Sequence, residues 1–204
     1  MARAGHPCRP PSGIAGMNAC HKLVFIGEPG AGKTTCIAAL SDIAPVTTDV
    51  GCTDDLARRK ASTTVALDYG EMDLGEQGML RLYGLPGQER FRFMFDVVRD
   101  GAMGLVVLVD AASAQGLDGL AGTLATYADE LRQRPFVLCL NKHPDPPMAF
   151  RERCMAMLRD QGLVAPLLVI DARSRSDLAQ VFRMLCLLLD HGDYPVLDGE
   201  RGGA

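Results

Sequence analysis

Eight consecutive residues, Gly27-Glu28-Pro29-Gly30-Ala31-Gly32-Lys33-Thr34, fit the pattern G-x-x-x-x-G-K-[ST], with Thr35 directly after. Glycines let successive backbone N–H groups curl around an anionic phosphate, and a helix that starts there adds the partial positive charge of its N-terminus. The Lys33 ammonium would reach the β- and γ-phosphates of a nucleoside triphosphate, and the Thr34 hydroxyl is a hard oxygen ligand suited to Mg²⁺. The pattern carries this meaning only between a strand and a helix. Both are present: Leu23-Val24-Phe25-Ile26 is a short apolar run closed by Gly27, and Lys33 to Leu40 is a segment of helical length.

Apolar runs of the same kind recur at Thr64 to Tyr69, Met79 to Tyr83, Leu105 to Val109, Phe136 to Leu140 and Leu167 to Ile170. Helical segments are expected at Gln88 to Arg99, Leu117 to Arg132, Met148 to Asp160 and Asp177 to Leu189. The last carries Leu178, Val181, Phe182, Leu185, Leu188 and Leu189 at the spacing of one core-facing stripe. The polar, Gly-rich stretch from Gly70 to Gly78 is too short for a helical crossover, so its flanking strands should form an antiparallel hairpin. The order β-α-β-β-α-β-α-β-α-β-α implies an α/β fold: a six-stranded, mainly parallel sheet with one antiparallel edge strand and helices on both faces. Residues 1–20, rich in Pro, Gly and Ala without periodicity, read as a disordered extension; 21–191 form one domain and 192–204 a loose tail.

The whole chain has 204 residues, 48% apolar and 23% charged, enough for one domain with a sizeable core. A net charge of -4 argues against a surface that coats nucleic acid, and no run approaches the ~18 apolar residues of a membrane span. Seven cysteines, an odd count without metal-ligand spacing, suggest reduced thiols and a cytoplasmic protein. Cys36 follows the helix start, where a thiol pKa can fall, but such a residue is more often packed core.

Downstream, Gly84-Leu85-Pro86-Gly87-Gln88-Glu89-Arg90-Phe91 resembles the second switch of Ras-like GTPases. Gly87 matches the glycine whose N–H senses the γ-phosphate, and Gln88 the residue that orients the attacking water. Thr63 to Gly70 looks like a first switch; Thr64, immediately before the apolar run, is preferred as the threonine that covers Mg²⁺. Asn141-Lys142 matches the start of the guanine-reading N-K-x-D, and Asp171-Ala172-Arg173 stands where the short base-contacting loop belongs. The resemblance covers residues 22 to 190 and implies a P-loop NTPase G-domain. Within that family the chain resembles a bacterial group of small GTPases encoded in conservon operons, related to the gliding-motility polarity GTPase. That group implies a Mg²⁺-dependent, slowly hydrolysing GTP switch in bacterial signalling. Its implied partner is a roadblock/LC7-type regulatory protein, with a sensor histidine kinase nearby.

Two positions depart from the Ras-like pattern. Gly84 replaces the aspartate that holds Mg²⁺ through water, and Asp68, four residues after Thr64, is a candidate substitute or else an ordinary strand-edge acid. Pro144 replaces the guanine-reading aspartate, with Asp145 one step on. A slip of one residue moves a carboxylate by about 3.5 Å, which breaks a bidentate pair unless the loop bends to return Asp145 to the base. The alternative function is therefore a pseudo-GTPase that holds nucleotide with weak base or metal selectivity. Arg58, Arg59 and Lys60 are either a solvated charged loop or a source of an arginine finger in cis. Of Phe91, Phe93 and Phe95, the i, i+4 pair Phe91 and Phe95 fits the core and leaves Phe93 as a partner contact.

Overall fold

The structure, a computed structural model, describes residues 21–49 and 66–192. The expected N-terminal extension, Arg58, Arg59, Lys60, Thr63, Thr64 and the tail beyond Gly192 lie outside the described residues. Seven strands form one sheet: β1 (His21–Gly27), β2 (Val46–Asp49), β3 (Ala66–Asp73), β4 (Met79–Pro86), β5 (Ala102–Asp110), β6 (Phe136–Asn141) and β7 (Leu167–Ile170). Their order is β2-β3-β4-β1-β5-β6-β7. β1 pairs in parallel with β4 and β5, and β5-β6-β7 continue in parallel, whereas β3 is antiparallel to both of its neighbours.

The six expected strands are all present, mostly parallel with one antiparallel. The difference is β2, a short, largely polar strand that shows neither an apolar run nor an extended alternation. It pairs Val46 with Tyr69 and so covers β3, which places the antiparallel strand one position in from the edge. Between β3 and β4 the hairpin loop is tighter than the sequence suggests, with a 3-10 turn at Gly75–Gln77 joining Asp73 to Met79.

Among the described residues six α-helices cover the sheet: α1 (Lys33–Leu40), α2 (Phe93–Val98), α3 (Gly116–Thr126), α4 (Ala128–Gln133), α5 (Met148–Asp160) and α6 (Arg175–His191). Because side chains alternate along a strand, β1 sends Leu23 and Phe25 to one face and Val24 and Ile26 to the other. The first face packs on Cys36, Ile37 and Leu40 of α1 and on Leu178, Val181 and Leu185 of α6. The second packs on α2 to α5 through residues such as Phe95, Leu120, Leu131 and Leu158. The expected helices over 33–40 and 148–160 hold to the residue. The one expected over 117–132 breaks at Tyr127, which leaves helical geometry with φ -110° and ψ 18°. Its fully buried ring meets Phe95 edge-on at 5.9 Å, and its hydroxyl donates to the Pro86 carbonyl at 2.8 Å. Phe93, at 38% exposure, is left at the surface while Phe95 is buried.

Phe95 therefore ties α2 to the α3-α4 break. Phe95→Ala should cost about 3–5 kcal/mol, the range for an aromatic deleted from a packed core. The urea midpoint would drop with an unchanged m-value; an unaltered midpoint would place the ring outside the cooperative core.

Candidate functional site

Five parallel strands end on one side of the sheet, where open α/β folds bind ligands. Registered pairs align those ends: Gly27 with Pro86, Asp110 with Asn141, and Asn141 with Ile170. Four of the five ends open into segments singled out above. From β1 comes the Gly27–Thr34 loop, from β4 Gly87 and Gln88, from β6 Asn141 and Lys142, and from β7 Asp171 to Arg173.

The loop turns tightly and then starts α1. Gly32 sits at φ 113°, a backbone that other L residues rarely adopt, and a Cβ there would lie 2.3 Å from the Asn141 amide nitrogen. At Gly27 a Cβ would fall 2.4 Å from the Leu108 carbonyl oxygen. Asn141 holds the loop from the side: its Nδ2 donates to the Ala31 carbonyl at 2.8 Å, and its Oδ1 accepts from the Ala172 N–H at 3.0 Å. Lys33 Nζ donates to the carbonyls of Gly27 and Glu28 at 2.8 and 2.9 Å. Burial pulls its pKa below the usual lysine value, against the opposing pull of the Asp68 and Glu28 charges. The first-turn N–H groups of α1, beyond the reach of any intrahelical carbonyl, add donors at the same place.

Asp68 lies opposite Gly84 in the β3-β4 register. A Cβ on Gly84 would come 3.0 Å from the Asp68 Cβ and 3.1 Å from its Oδ2. That carboxylate accepts a 2.6 Å hydrogen bond from the Thr34 hydroxyl. β3 thus sets a carboxylate beside Thr34, in the space that the glycine on β4 leaves. A hydroxyl and a carboxylate side by side are the hard oxygen donors Mg²⁺ takes when phosphates complete its shell. Among the described residues no group of three His, Cys, Asp or Glu side chains could hold a metal unaided.

Gly87 sits against the loop. Its N–H donates to the Gly27 carbonyl at 2.8 Å, and a Cβ there would strike Thr123 Oγ1 at 2.2 Å. Gln88 Nε2 donates to Glu28 Oε2 at 3.2 Å, while Gln88 Oε1 is buried without a hydrogen-bond partner.

On the opposite side of the loop lies a cleft of about 790 Å³, lined by Gly30, Gly32, Thr35, Asn141 to Pro144 and Val169 to Arg173, with Asp177 at its edge. Lys142 takes a left-handed backbone, φ 69°, and its ammonium pairs with Asp110 at 2.7 Å. The Asp171 carboxylate is fixed by the Arg173 guanidinium and N–H, which hold its pKa down to about 2. The backbone N–H of Asp171 donates to Asp177. Asp145 does not line the cleft: its carboxylate is 92% exposed and ion-paired at 2.5 Å with Arg151, which also donates to the Pro146 carbonyl. With Pro144 in the reading position and an arginine in the first turn of α5, the loop holds Asp145 outward rather than bending it back.

The family model described as 50S ribosome-binding GTPase matches residues 22–142, more than half of the chain. The chain belongs to that GTPase family. It is similar to the Ras-related protein Rab-10 of Caenorhabditis elegans, 26% identical over 70% of this chain and 68% of that protein. The Ras-related protein SEC4 of Candida albicans is 21% identical over 90% of this chain and 83% of its own length. Ras-related protein Rab-8B of Homo sapiens is 29% identical over 48% and 44%. At the level of the family this is a Ras-like, GTP-binding and GTP-hydrolysing domain, and no helix among its described residues is long and apolar enough to cross a membrane.

Within the GTPase domain several functional contacts carry no sequence signal. Tyr127 and Thr123 brace Pro86 and Gly87, and Asp110 holds Lys142, through pairings set only by the tertiary fold. Asp177 was legible only as the acid three residues after Ser174, whose hydroxyl caps α6 by accepting from the Asp177 N–H. The helix-start alternative for Cys36 is overturned. Burial pushes its thiol up to about 12, and Cys139 is raised by burial too. All four cysteines among the described residues are buried. At pH 8 Cys36, Cys139, Cys154 and Cys186 should therefore resist iodoacetamide until denaturant is added, as followed by peptide mass spectrometry. Labelling of Cys36 in the native protein would show an accessible thiolate.

Proposed function

We propose that the chain is a Mg²⁺-dependent GTP switch in bacterial signalling that hydrolyses slowly until a partner protein completes its site. The observation that carries this reading is the Thr34-Asp68 contact opposite Gly84, which restores a carboxylate to the metal side of the phosphate loop. Bound Mg²⁺ would neutralise charge on the phosphate oxygens. The chain's own groups do the rest: Lys33 and the first-turn N–H groups of α1 bind the phosphates, Gly87 offers its N–H, and Gln88 orients water. Thr64, from the first switch, is the further group proposed to cover the metal. Likeness to the conservon-type and polarity GTPases supports a roadblock/LC7-type activator, with a sensor histidine kinase in the same assembly. The exposed Phe93, beside the second switch, is a contact such an activator would use.

One observation favours the second reading, a nucleotide-binding module with weak base selectivity. Asp145 is held out of the cleft by Arg151, so guanine preference has to come from the remaining cleft groups. Titration with fluorescent GTP and ATP analogues, with and without Mg²⁺, separates the two. The switch reading expects Mg²⁺-dependent binding with GTP preferred; equal affinity for both nucleotides and indifference to Mg²⁺ would support the module.

Two variants test the roles. Asp68→Asn should weaken Mg²⁺-dependent GTP binding by about tenfold, roughly 1.4 kcal/mol, and leave Mg²⁺-free binding unchanged. Gln88→Leu should retain GTP affinity and lose hydrolysis by about a hundredfold, measured as phosphate release under single turnover. Full activity in either variant removes that residue from the mechanism.

A further inference from the structure

The second residue of the phosphate loop is chemically free in the sequence motif, and here it is an acid whose side chain reaches the second switch. Pro86 and Gly87 are already fixed by the Tyr127 hydroxyl, by the Gly27 carbonyl and by close contact with Thr123. What remains adjustable in Gln88 is its side chain, and Glu28 Oε2 accepts from the Gln88 amide nitrogen at 3.2 Å. An ionised carboxylate only accepts hydrogen bonds, so it draws the NH₂ end of the amide and turns the carbonyl end away. That end, Oε1, is buried and has no other hydrogen bond. It is the acceptor atom an attacking water needs.

Glu28 is itself placed by α3. A Cβ on Gly119 would lie 2.4 Å from Glu28 Cγ, and one on Gly122 would lie 3.9 Å from Glu28 Oε1. The half-buried stem of Glu28 therefore crosses α3 at glycine, and a single added methyl group would dislodge it. Lys33 is bonded to the Glu28 carbonyl, so the same residue touches the lysine through its backbone and the glutamine through its side chain.

We infer that Glu28 is a positioning residue for hydrolysis: its carboxylate holds the Gln88 amide nitrogen, which leaves Oε1, covered here, as the end that accepts from the attacking water once nucleotide uncovers it. This rests on the hydrolysing-switch reading, with Gln88 as the group that orients water. Glu28→Gln, which has the same shape but can also donate, lets the amide flip. Gly119→Ala displaces Glu28 without altering its charge.

Single-turnover GTP hydrolysis and GTP affinity should be measured for the wild type, Glu28→Gln, Gly119→Ala, Gln88→Leu and the Glu28→Gln/Gln88→Leu double variant. Glu28→Gln and Gly119→Ala should each slow hydrolysis about tenfold, the size of one misplaced hydrogen bond, with affinity in Gly119→Ala within about threefold because the charges and backbone of the loop are unchanged. The double variant should match Gln88→Leu, since Glu28 acts only through that amide. Wild-type rates in Glu28→Gln, a faster rate, or a further loss in the double variant would overturn the inference. If Gln88→Leu hydrolyses normally, it is the hydrolysing-switch reading that fails. An NMR measurement decides about Glu28 even then. The Gln88 side-chain NH₂ resonances, assigned by their loss in Gln88→Leu, should shift in both Glu28→Gln and Gly119→Ala, and an unmoved pair would show that no such hydrogen bond exists.

Discussion

The Gly27 carbonyl accepts from both the Lys33 ammonium and the Gly87 N–H, each at 2.8 Å. Those are two of the donors a γ-phosphate would draw on, and they meet at one backbone oxygen because parallel pairing sets Gly27 beside Pro86. The approach is possible only without side chains: a Cβ on Gly27 would strike Leu108, and one on Gly87 would strike Thr123. A phosphate entering here competes with a carbonyl for donors already in place, which requires little rearrangement of the sheet. The spacing between phosphate loop and second switch is accordingly a property of strand register.

Charge follows from the same geometry. A lysine drawn into partial burial loses solvation, and its lowered pKa records that cost. Asp68 and Glu28 oppose the shift from two sides, one on β3 and one in the loop itself. Asp68 on β3 keeps an anion near Lys33 and Thr34, in the space that Gly84 leaves. Ile37 lies 3.1 Å from where a Gly84 Cβ would be, so a carboxylate on β4 would crowd α1 as well as Asp68. A single acid in this space, contributed from β3, is the arrangement that packs.

The sequence makes the α/β order, four of the strand ends and the phosphate loop legible because each rests on local pattern: apolar runs, short motifs and helix periodicity. What it hides depends on contacts between distant segments. β2 has too few residues for an alternation to show. The break at Tyr127 arises because its ring and hydroxyl are satisfied by Phe95 and Pro86, forty-one residues away in the latter case. Asp68 could be suspected from its distance to Thr64, but only register shows it facing Gly84. The outward hold on Asp145 comes from Arg151, which reads in the sequence as one more charged position on a helix. Glu28 occupied a motif position that any residue can fill, so its reach to Gln88 left no trace.

The two ends of the site differ in how firmly they are determined. The phosphate end is fixed by close backbone approaches that tolerate no added atom, and by hydrogen bonds with buried or half-buried partners. The base end is held differently. Asp145 with Arg151, Asp171 with Arg173 and Lys142 with Asp110 are ion pairs open to solvent on at least one side. Exposed pairs of this kind contribute little and weaken as salt rises. A loop held by so little can exchange partners when a base enters the cleft, whereas the phosphate loop cannot change shape without disturbing the middle of the sheet, where β1 lies. Recognition of phosphate is therefore built into the fold, and selection of the base is left to a few side chains whose present partners are easily displaced.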